Sequence, residues 1–267
     1  IWADLGLFAL PQAATGNFSS AQLPVPGRQG LFGLLAPEGK LTLTAAEVKG
    51  ILPATGAPML VYSARHKGEA YLNPVLVLRK GQPFEVTLVN GLQEPTIIHW
   101  HGVDCPWKQA GHPLYAIGSN GSYEYSFPIT NRAGTYWYHS HFRPVLTQVD
   151  MGLYAPFIVK TATDSQYSGD HVLVLDDWYL DASGNRLAGT ARGDMERYGN
   201  IETVNGKTGP AIAPLVFQAG ELHKIRLINA STAAVHTLRI NGHRFRVTHT
   251  DGHALVDDFL TDTVTLS

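Results

Sequence analysis

Cysteine is almost absent from this sequence, and charged residues of either sign are sparse. Cys105 is the single cysteine, which excludes an internal disulfide framework. Charged residues make up 16% of the chain and the formal net charge is −2, so no basic surface that attracts nucleic acid or an anionic membrane is expected. No apolar run approaches the ~20 residues that span a bilayer, and the first residues lack the pattern of an intact secretory signal. The 267 residues, 44% of them hydrophobic, suffice for one large or two modest domains.

A long stretch of helical periodicity is also lacking, and short alternating segments take its place. Six segments alternate as strands do: Leu41-Thr-Leu-Thr, Val75-Leu-Val-Leu, Phe84-Glu-Val-Thr-Leu-Val, Ser122-Tyr-Glu-Tyr-Ser-Phe, Gly134-Thr-Tyr-Trp-Tyr-His and Ala155-Pro-Phe-Ile-Val. Turn signals separate them at Gly81, Asn90-Gly91 and Asn120-Gly121. Strands at this spacing, without alternating helices, predict an all-β fold of antiparallel sandwiches or barrels.

A polar stretch over residues 161–169 interrupts the strand pattern and predicts a boundary between domains at 41–162 and 163–267. Beyond it the predicted strands are His171-Val-Leu-Val-Leu, Leu215-Val-Phe, His223-Lys-Ile-Arg-Leu-Ile-Asn, Thr237-Leu-Arg-Ile, Phe245-Arg-Val-Thr and Thr263-Val-Thr-Leu. The segments starting at Gly81 and Gly220 share a glycine, an alternating strand and a closing asparagine, which predicts two copies of one sandwich type. Residues 1–40, with several prolines and glycines, are predicted to form an irregular extension. Ser267 follows directly after a strand, so we expect the second sandwich to be incomplete.

Two histidine pairs are the most informative feature of the sequence. They occur in Thr96-Ile-Ile-His99-Trp-His101-Gly and in Gly134-Thr-Tyr-Trp-Tyr-His139-Ser-His141. Residues i and i+2 of a strand point to the same face, about 6.6 Å apart along its axis. Two such strands side by side would bring four imidazoles to one patch, and imidazole is a ligand for copper, zinc, iron and nickel. Two pairs beside aromatic residues on apolar strands therefore predict a metal site at His99, His101, His139 and His141.

Both motifs resemble the first two copper-binding motifs of the multicopper oxidases, the laccase-like family of cupredoxin-domain enzymes. The framework around them is similar to that family as well: Leu41-Thr-Leu-Thr-Ala-Ala-Glu-Val, Arg79-Lys-Gly-Gln-Pro-Phe-Glu-Val-Thr-Leu-Val-Asn, Gly152-Leu-Tyr-Ala-Pro-Phe-Ile-Val, Asn205-Gly and residues 220–252. The resemblance extends from residue 41 to the end of the sequence. It implies two cupredoxin-like antiparallel β-sandwiches, and a periplasmic or secreted protein.

The resemblance also implies roles for the four histidines. His99 would bind a type 2 copper, and His101, His139 and His141 would bind the type 3 pair. In the family this trinuclear cluster reduces O2 to water with electrons from a type 1 copper, which oxidises a small phenolic or metal-ion substrate.

Two carboxy-terminal family motifs are missing from this sequence: a His-Pro-X-His-X-His run and a His-Cys-His run. A blue copper site needs a thiolate, and Cys105 has no histidine beside it, so a small loop or core cysteine is the better interpretation. We therefore expect the type 1 copper and the other cluster ligands to come from a C-terminal portion of the same oxidase, as a separate chain or a missing segment. On that hypothesis the chain alone is inactive.

A further departure from the family pattern follows the first histidine pair. The family commonly has Asp-Gly-X-Pro there, with an aspartate that assists proton delivery, whereas this sequence has Ala110-Gly-His-Pro. Alanine cannot carry a proton. Asp104 or His112 could substitute, since a histidine titrates near neutrality.

Two other interpretations of the histidine pairs stay open. The chain could be a non-catalytic copper-binding or structural subunit, which copper content and oxygen consumption would distinguish from an oxidase. A copper nitrite reductase also uses cupredoxin domains, but it needs a type 1 cysteine motif and the paired histidines favour the oxidase.

The remaining polar clusters have simpler interpretations. His243, His249 and His253 are spread over a hairpin-like segment, where a structural hairpin is favoured over a second metal site. Asp176-Asp177 and Asp257-Asp258 lie beside predicted strand ends and are predicted to occupy solvated turns.

Overall fold

The computed structural model describes residues 2–8, 30–51, 58–142, 145–187, 198–212 and 214–267. The first twelve strands are β1 (Trp2–Phe8), β2 (Gly30–Leu31), β3 (Leu34–Leu35), β4 (Leu41–Lys49), β5 (Pro58–His66), β6 (Glu69–Leu72), β7 (Val75–Arg79), β8 (Pro83–Asn90), β9 (Ile98–His101), β10 (Ser122–Pro128), β11 (Gly134–Ser140) and β12 (Tyr154–Lys160). A short helix, α1 (Val145–Asp150), precedes β12. The later strands are β13 (Gly169–Trp178), β14 (Ile201–Val204), β15 (His223–Asn229), β16 (His236–Arg239), β17 (Arg244–Thr250), β18 (His253–Thr261) and β19 (Thr263–Leu266).

The first sandwich consists of two sheets whose inner faces form one apolar core. One sheet has the strand order β10-β8-β4-β5-β6-β2, and the other has the order β3-β7-β12-β11-β9. Alternation along β4 places Leu41, Leu43 and Ala45 in the core while Thr42 faces solvent. The all-β prediction is confirmed, but the sheets are mixed, because β4 runs parallel to β8 and β7 runs parallel to β12.

The second sandwich has a six-stranded sheet with the order β14-β13-β15-β1-β17-β18, and its second layer is the β16–β19 pair. Its core is a compact set of aliphatic side chains and one aromatic: Leu173, Leu175, Ile225, Leu227, Phe245, Val247, Val264 and Leu266. Apolar side chains on the opposite face of the large sheet, Val172 and Val174, belong to the core of the first sandwich. The two sandwiches therefore share a packed interface.

The prediction of an irregular extension over residues 1–40 is wrong for its first part. The backbone of β1 pairs antiparallel with β15 on one side and with β17 on the other, so it is an internal strand of the second sheet. This sheet is covered on both faces, so its strands need not alternate between apolar and polar residues. The sequence of β1 shows no such alternation, and the strand was therefore not predicted. β2 and β3 also lie within this extension, each pairing parallel with a strand of the first sandwich.

The segment Leu215-Val-Phe is also not a strand, contrary to the prediction. It lies among the described residues that form no ladder, directly after Pro214, and only Leu215 is buried. Val216 is 73% exposed, so the apolar run does not report a pleated, half-buried surface.

Two asparagines end equivalent strands and support the predicted internal similarity of the two sandwiches. Asn90 closes β8 and accepts the Leu92 N–H at 2.9 Å, while its amide group donates to two carbonyls. Asn229 closes β15 and accepts the Ser231 N–H at 3.0 Å, and its amide group likewise donates to two carbonyls. Each asparagine thus stabilises the turn that follows its strand.

Candidate metal centre

The four paired histidines lie on one face of two adjacent strands. β9 pairs antiparallel with β11, and the register sets His99 opposite His139 and His101 opposite Trp137. Alternation then sends these side chains to one face, while the intervening residues point into the core of the first sandwich. His141 follows β11 directly, and its backbone N–H donates to Ile97 at 3.0 Å.

The rings converge closely enough to share metal ions. The His99 centroid lies 5.4 Å from that of His101, 5.3 Å from that of His139 and 4.9 Å from that of His141. Nδ1 of His101 is 3.2 Å from Nε2 of His139. Ligand atoms of His99, His101 and His139 all lie within 4.8 Å of one another. The structure therefore brings together the four residues that the sequence singled out.

Backbone carbonyls fix the orientation of three of the rings. Nδ1 of His99 lies 2.5 Å from the Ala110 carbonyl, and Nδ1 of His141 lies 3.0 Å from that of Gly111. Nδ1 of His139 lies 2.8 Å from the carbonyl of Ser140. A carbonyl only accepts, so each Nδ1 carries the proton and each Nε2 presents its lone pair. Such outer hydrogen bonds are the usual support of metal-binding imidazoles.

Gly111 is the one residue type that fits the loop behind the histidines. Its φ of +83° is unfavourable for other residues, and a Cβ there would lie 2.2 Å from the carbonyl oxygen of Ile98. This close approach brings the carbonyls of Ala110 and Gly111 against β9. The position where the family commonly has an aspartate thus contributes its backbone to the site here.

Burial keeps the imidazoles of His99, His101 and His139 neutral. It lowers the pKa of His99, an effect partly offset by the hydrogen bond to Ala110. Burial, followed by the charge of His99, lowers the pKa of His101 to about 4, with Asp251 opposing the change. Burial lowers the pKa of His139 to about 3. These rings can therefore donate lone pairs to a metal without first losing a proton at neutral pH.

Aromatic packing behind the strands holds the histidines in register. Trp100 is 1% exposed and makes edge contacts with Phe84 and Tyr125, each at 5.0 Å between ring centroids. The Tyr125 hydroxyl accepts the N–H of Ile98 and donates to its carbonyl. The Tyr138 hydroxyl donates to the Pro74 carbonyl at 2.8 Å. β9 and β11 are thus anchored on the face opposite the rings.

A buried polar network attaches α1 to the same two strands. The Gln148 side-chain oxygen accepts from Thr96 at 2.9 Å and from Ser140 at 2.5 Å, and its amide group donates to Pro95 at 3.0 Å. Ser140 lies between His139 and His141, so this network fixes the backbone that carries both rings.

A cavity of about 360 Å³ lies over the histidines, between the two sandwiches. The first sandwich contributes the four rings, Trp137, Val149 and Asp150, and the second contributes residues 229–232. Asp150 accepts from the Thr232 hydroxyl at 3.0 Å and forms an ion pair with Arg186. No local sequence signal points to Asp150, because its place depends on packing between the sandwiches.

A tight turn of the second sandwich is docked on the strand that carries His139. Asp251 and Gly252 have φ of +46° and +75° and connect β17 to β18 with two residues, the geometry that favours Asp-Gly. The Tyr136 hydroxyl donates to the Gly252 carbonyl at 3.0 Å. A Cβ at Gly134 would lie 2.4 Å from the same carbonyl, so the contact requires glycine there.

Neither residue suggested for proton delivery lines the cavity. The backbone N–H of Asp104 donates to Asn131 at 2.8 Å, and the exposed His112 accepts the Leu114 N–H at 3.2 Å. Cys105 is half-buried, and burial together with Asp104 raises the pKa of its thiol to about 11. Within the described part of the chain, Cys105 also belongs to no group of three potential metal ligands.

The predicted hairpin carrying His243, His249 and His253 is present as β17 and β18, and none of these residues belongs to a three-ligand group among the described residues. The prediction of a solvated turn is wrong for Asp176 and Asp177, which are 6% and 2% exposed within β13.

Buried hydrogen bonds explain why these two acids are not solvated. Asp176 accepts the hydroxyl of Tyr154 from the first sandwich, and Asp177 accepts the backbone N–H of Gly199. Asp257 and Asp258 are exposed, as predicted, but they lie within β18 and not in a turn, and Asp258 forms an ion pair with Arg246.

The sheet topology and packing define two cupredoxin-like β-sandwiches. Family models described as multicopper oxidase match residues 65–164 and 169–267. Laccase-5 of Trametes villosa is 28% identical over 88% of this chain and 46% of its own length. The multicopper oxidase MmcO of Mycobacterium tuberculosis is 28% identical over 71% of this chain and 43% of its own length. The crystal structure of the McoA multicopper oxidase from Aquifex aeolicus superimposes with a TM-score of 0.75 and 30% identity, over 93% of this chain and 55% of that one.

The chain belongs to the multicopper oxidase family. It spans about half the length of the curated relatives it matches. Among the described residues, no helix is both long and apolar enough to cross a membrane.

Proposed function

We propose that this chain supplies the amino-terminal half of a trinuclear copper site in an oxidase. The reaction would be oxidation of a phenolic or metal-ion substrate, coupled to four-electron reduction of dioxygen to water. The observation that carries the proposal is the convergence of four imidazoles on one cavity, with Nδ1 of His101 3.2 Å from Nε2 of His139. By the family pattern, His99 is the type 2 ligand, and His101, His139 and His141 are type 3 ligands.

The donor set fits copper. The His101 and His139 rings are neutral at pH 7, and metal–nitrogen bonds of about 2.0–2.1 Å to them would meet at an angle of roughly 100°. Imidazole nitrogen also suits Cu²⁺, which stands above its first-row neighbours in affinity for such ligands. When bound, the copper cluster would accept electrons one at a time and deliver them to dioxygen.

The protein's own contribution is to hold the rings in place and to control access. Hydrogen bonds to Ala110, Gly111 and Ser140 keep each Nε2 directed away from its carbonyl partner. Trp137 packs against His139 at 4.4 Å between ring centroids and excludes water from that side of the site. A rigid support of this kind lowers the cost of ordering ligands when the metal binds.

We further propose that the remaining cluster ligands and the type 1 copper come from a C-terminal portion of the same oxidase. Four imidazoles leave the coppers partly coordinated, and Cys105 belongs to no group of three potential metal ligands among the described residues. The open cavity beside the four rings offers the surface over which additional ligands would approach. A periplasmic or secreted location is proposed from the family alone.

Copper content and oxygen consumption test the proposal. We expect the isolated chain to bind copper without the intense blue absorption of a type 1 site and without oxidase turnover. Co-expression with the C-terminal portion should add the blue absorption and oxygen uptake. His139→Ala should abolish turnover in that complex, whereas the exposed control His253→Ala should retain it.

Two outcomes would overturn parts of the proposal. A fully loaded complex without turnover would favour a non-catalytic copper-binding subunit. Turnover by the isolated chain would refute the shared cluster.

A further inference from the structure

A second pair of imidazoles lies outside the candidate copper centre, at the edge of the second sandwich. His171 lies on β13 and His223 begins β15, where parallel pairing sets Gly169 opposite His223. Nε2 of His171 is 3.0 Å from Nδ1 of His223. Asn229, at the other end of β15, lines the cavity over the four histidines, so six residues, or about 20 Å, separate the two sites along the strand.

A carboxylate fixes the protonation of this pair. Nε2 of His223 lies 2.9 Å from a carboxylate oxygen of Glu221, and the same oxygen accepts the Gln218 N–H at 2.8 Å. A carboxylate only accepts, so His223 carries its proton on Nε2 and presents the Nδ1 lone pair to His171. The shared position between the two rings is therefore occupied by a single proton, donated by Nε2 of His171.

The arrangement reproduces the geometry between His101 and His139. The two nitrogen–nitrogen distances are 3.0 and 3.2 Å, and in each pair the far nitrogen of one ring donates to a fixed acceptor, Glu221 for His223 and Ser140 for His139. Metal–nitrogen bonds of about 2.0–2.1 Å to the second pair would meet at about 90–100°, the angle between neighbouring ligands of tetragonal Cu²⁺.

The space beside both nitrogens is kept open by glycine. A Cβ at Gly169 would lie 2.5 Å from Nε2 of His171 and 2.6 Å from Nδ1 of His223. Phe217 packs against both rings, with its centroid 4.2 Å from that of His223 and 5.7 Å from that of His171. Gly169 and His171 are only half-buried, so water can reach the pair and complete the coordination of an ion.

We propose that His171 and His223 form an accessory site for a single divalent copper ion, with Glu221 as the outer carboxylate that orients His223. The ion replaces the proton shared by the two rings, and water supplies the remaining ligands. Burial and the adjacent His223 lower the pKa of His171, which keeps that ring available to a cation at neutral pH. His171 and His223 are separate from the four-histidine centre, so this site does not depend on the proposed oxidase function.

Copper titration in a background without the four-histidine centre isolates the accessory site. The background carries alanine in place of all four histidines of that centre, His99, His101, His139 and His141, so that no paired imidazoles remain there. Cu²⁺ uptake is followed by equilibrium dialysis and by electron paramagnetic resonance. We expect one ion per chain at micromolar copper, with hyperfine splitting from two nitrogens. Adding His171→Gln should weaken binding at least tenfold and remove that splitting, and the exposed control His243→Gln should leave both unchanged.

A second variant keeps the test independent of histidine loss. Gly169→Ala keeps both histidines in the sequence, but its added methyl group occupies the space beside the two nitrogens and forces the rings apart; its backbone φ is compatible with alanine. It should abolish uptake, with unchanged circular dichroism. Equal copper uptake by the background and by its His171→Gln or Gly169→Ala derivatives would overturn the proposal, as would a background that takes up no copper. If instead the wild-type chain showed only this two-nitrogen signal, the four-histidine proposal would fail and the accessory site would stand.

Discussion

The guanidinium group of Arg226 donates to both carboxylate oxygens of Asp170, at 2.7 and 2.9 Å, and the Arg226 side chain is fully buried. Arg226 also donates to Thr135 at 3.1 Å, and Thr135 belongs to the strand that carries His139. Lys160 reaches Asp170 at 3.0 Å and Lys224 reaches Asp164 at 3.1 Å. This ion network joins the two sandwiches on the face of β11 that also carries His139.

Removing Arg226 from its ion pair with Asp170 should lower the stability of the folded protein. Arg226→Met leaves Asp170 as a buried carboxylate without its bidentate partner, which is expected to lower the free energy of unfolding by about 3–5 kcal/mol. Urea denaturation measures the loss. The exposed pair between Lys67 and Glu38 provides the control, since Lys67→Met should change stability by less than about 1 kcal/mol. Equal effects of the two substitutions would show that the buried network contributes no more than a surface pair.

The same network predicts a pH dependence. Burial alone would raise the pKa of Asp170, but the hydrogen bonds and charge of Arg226, with Lys160, outweigh it and hold the pKa at about 2. The folded-state pKa is thus depressed, so the stabilisation is complete above the unfolded pKa of about 3.9 and is lost as pH falls towards 2. Between these values the wild-type chain should lose up to about 1.4 kcal/mol per pH unit more than Asp170→Asn. Parallel stability curves for the two proteins would contradict this.

Gly111→Ala should weaken copper binding through the two carbonyls that orient His99 and His141. The added Cβ would displace the loop, because it lies 2.2 Å from the backbone oxygen of Ile98. Loss of such outer support typically lowers metal affinity about 10–100-fold. Competition with a copper chelator measures the change. Gly118→Ala, where an added Cβ has no neighbour within 4 Å, should bind copper as the wild type does.

Tyr154→Phe tests the contact between the sandwiches at Asp176. The substitution leaves a buried carboxylate without the tyrosine hydroxyl, and the expected loss is about 1–3 kcal/mol in the free energy of unfolding. Tyr198→Phe is the matched control, because Tyr198 is 62% exposed and should change stability by less than about 0.5 kcal/mol. Thermal unfolding of both variants measures the two losses of stability. A wild-type melting temperature for Tyr154→Phe would refute the stabilising role of this contact.

Local periodicity predicted much of the fold. Strands with one buried face, such as β4, β8 and β10, can be recognised in the sequence because apolar and polar residues alternate along them. The two His-X-His motifs predicted a common face for the same reason, since their spacing matches the period of a strand.

Features that depend on distant parts of the chain could not be predicted in this way. β1 shows no alternation, and its partner strands β15 and β17 come from far along the chain. The sequence around Asp176 resembles a turn, and only the distant Tyr154 explains why its carboxylate is buried. Asp150 reaches the cavity wall only because the second sandwich packs against α1. Sequence patterns show which residues share a face of a strand, but not which distant part of the chain packs against that face.

The placement of β9 limits how a second polypeptide can reach the metal ligands. This four-residue strand is the last in its sheet among the described residues, and two of the histidines lie on it. An edge strand this short is a poor template for pairing with another strand, which discourages self-association through backbone hydrogen bonds. A second polypeptide that completed the proposed site would therefore contact the imidazoles with its side chains through the cavity, and its specificity would depend on shape and chemistry and not on backbone pairing.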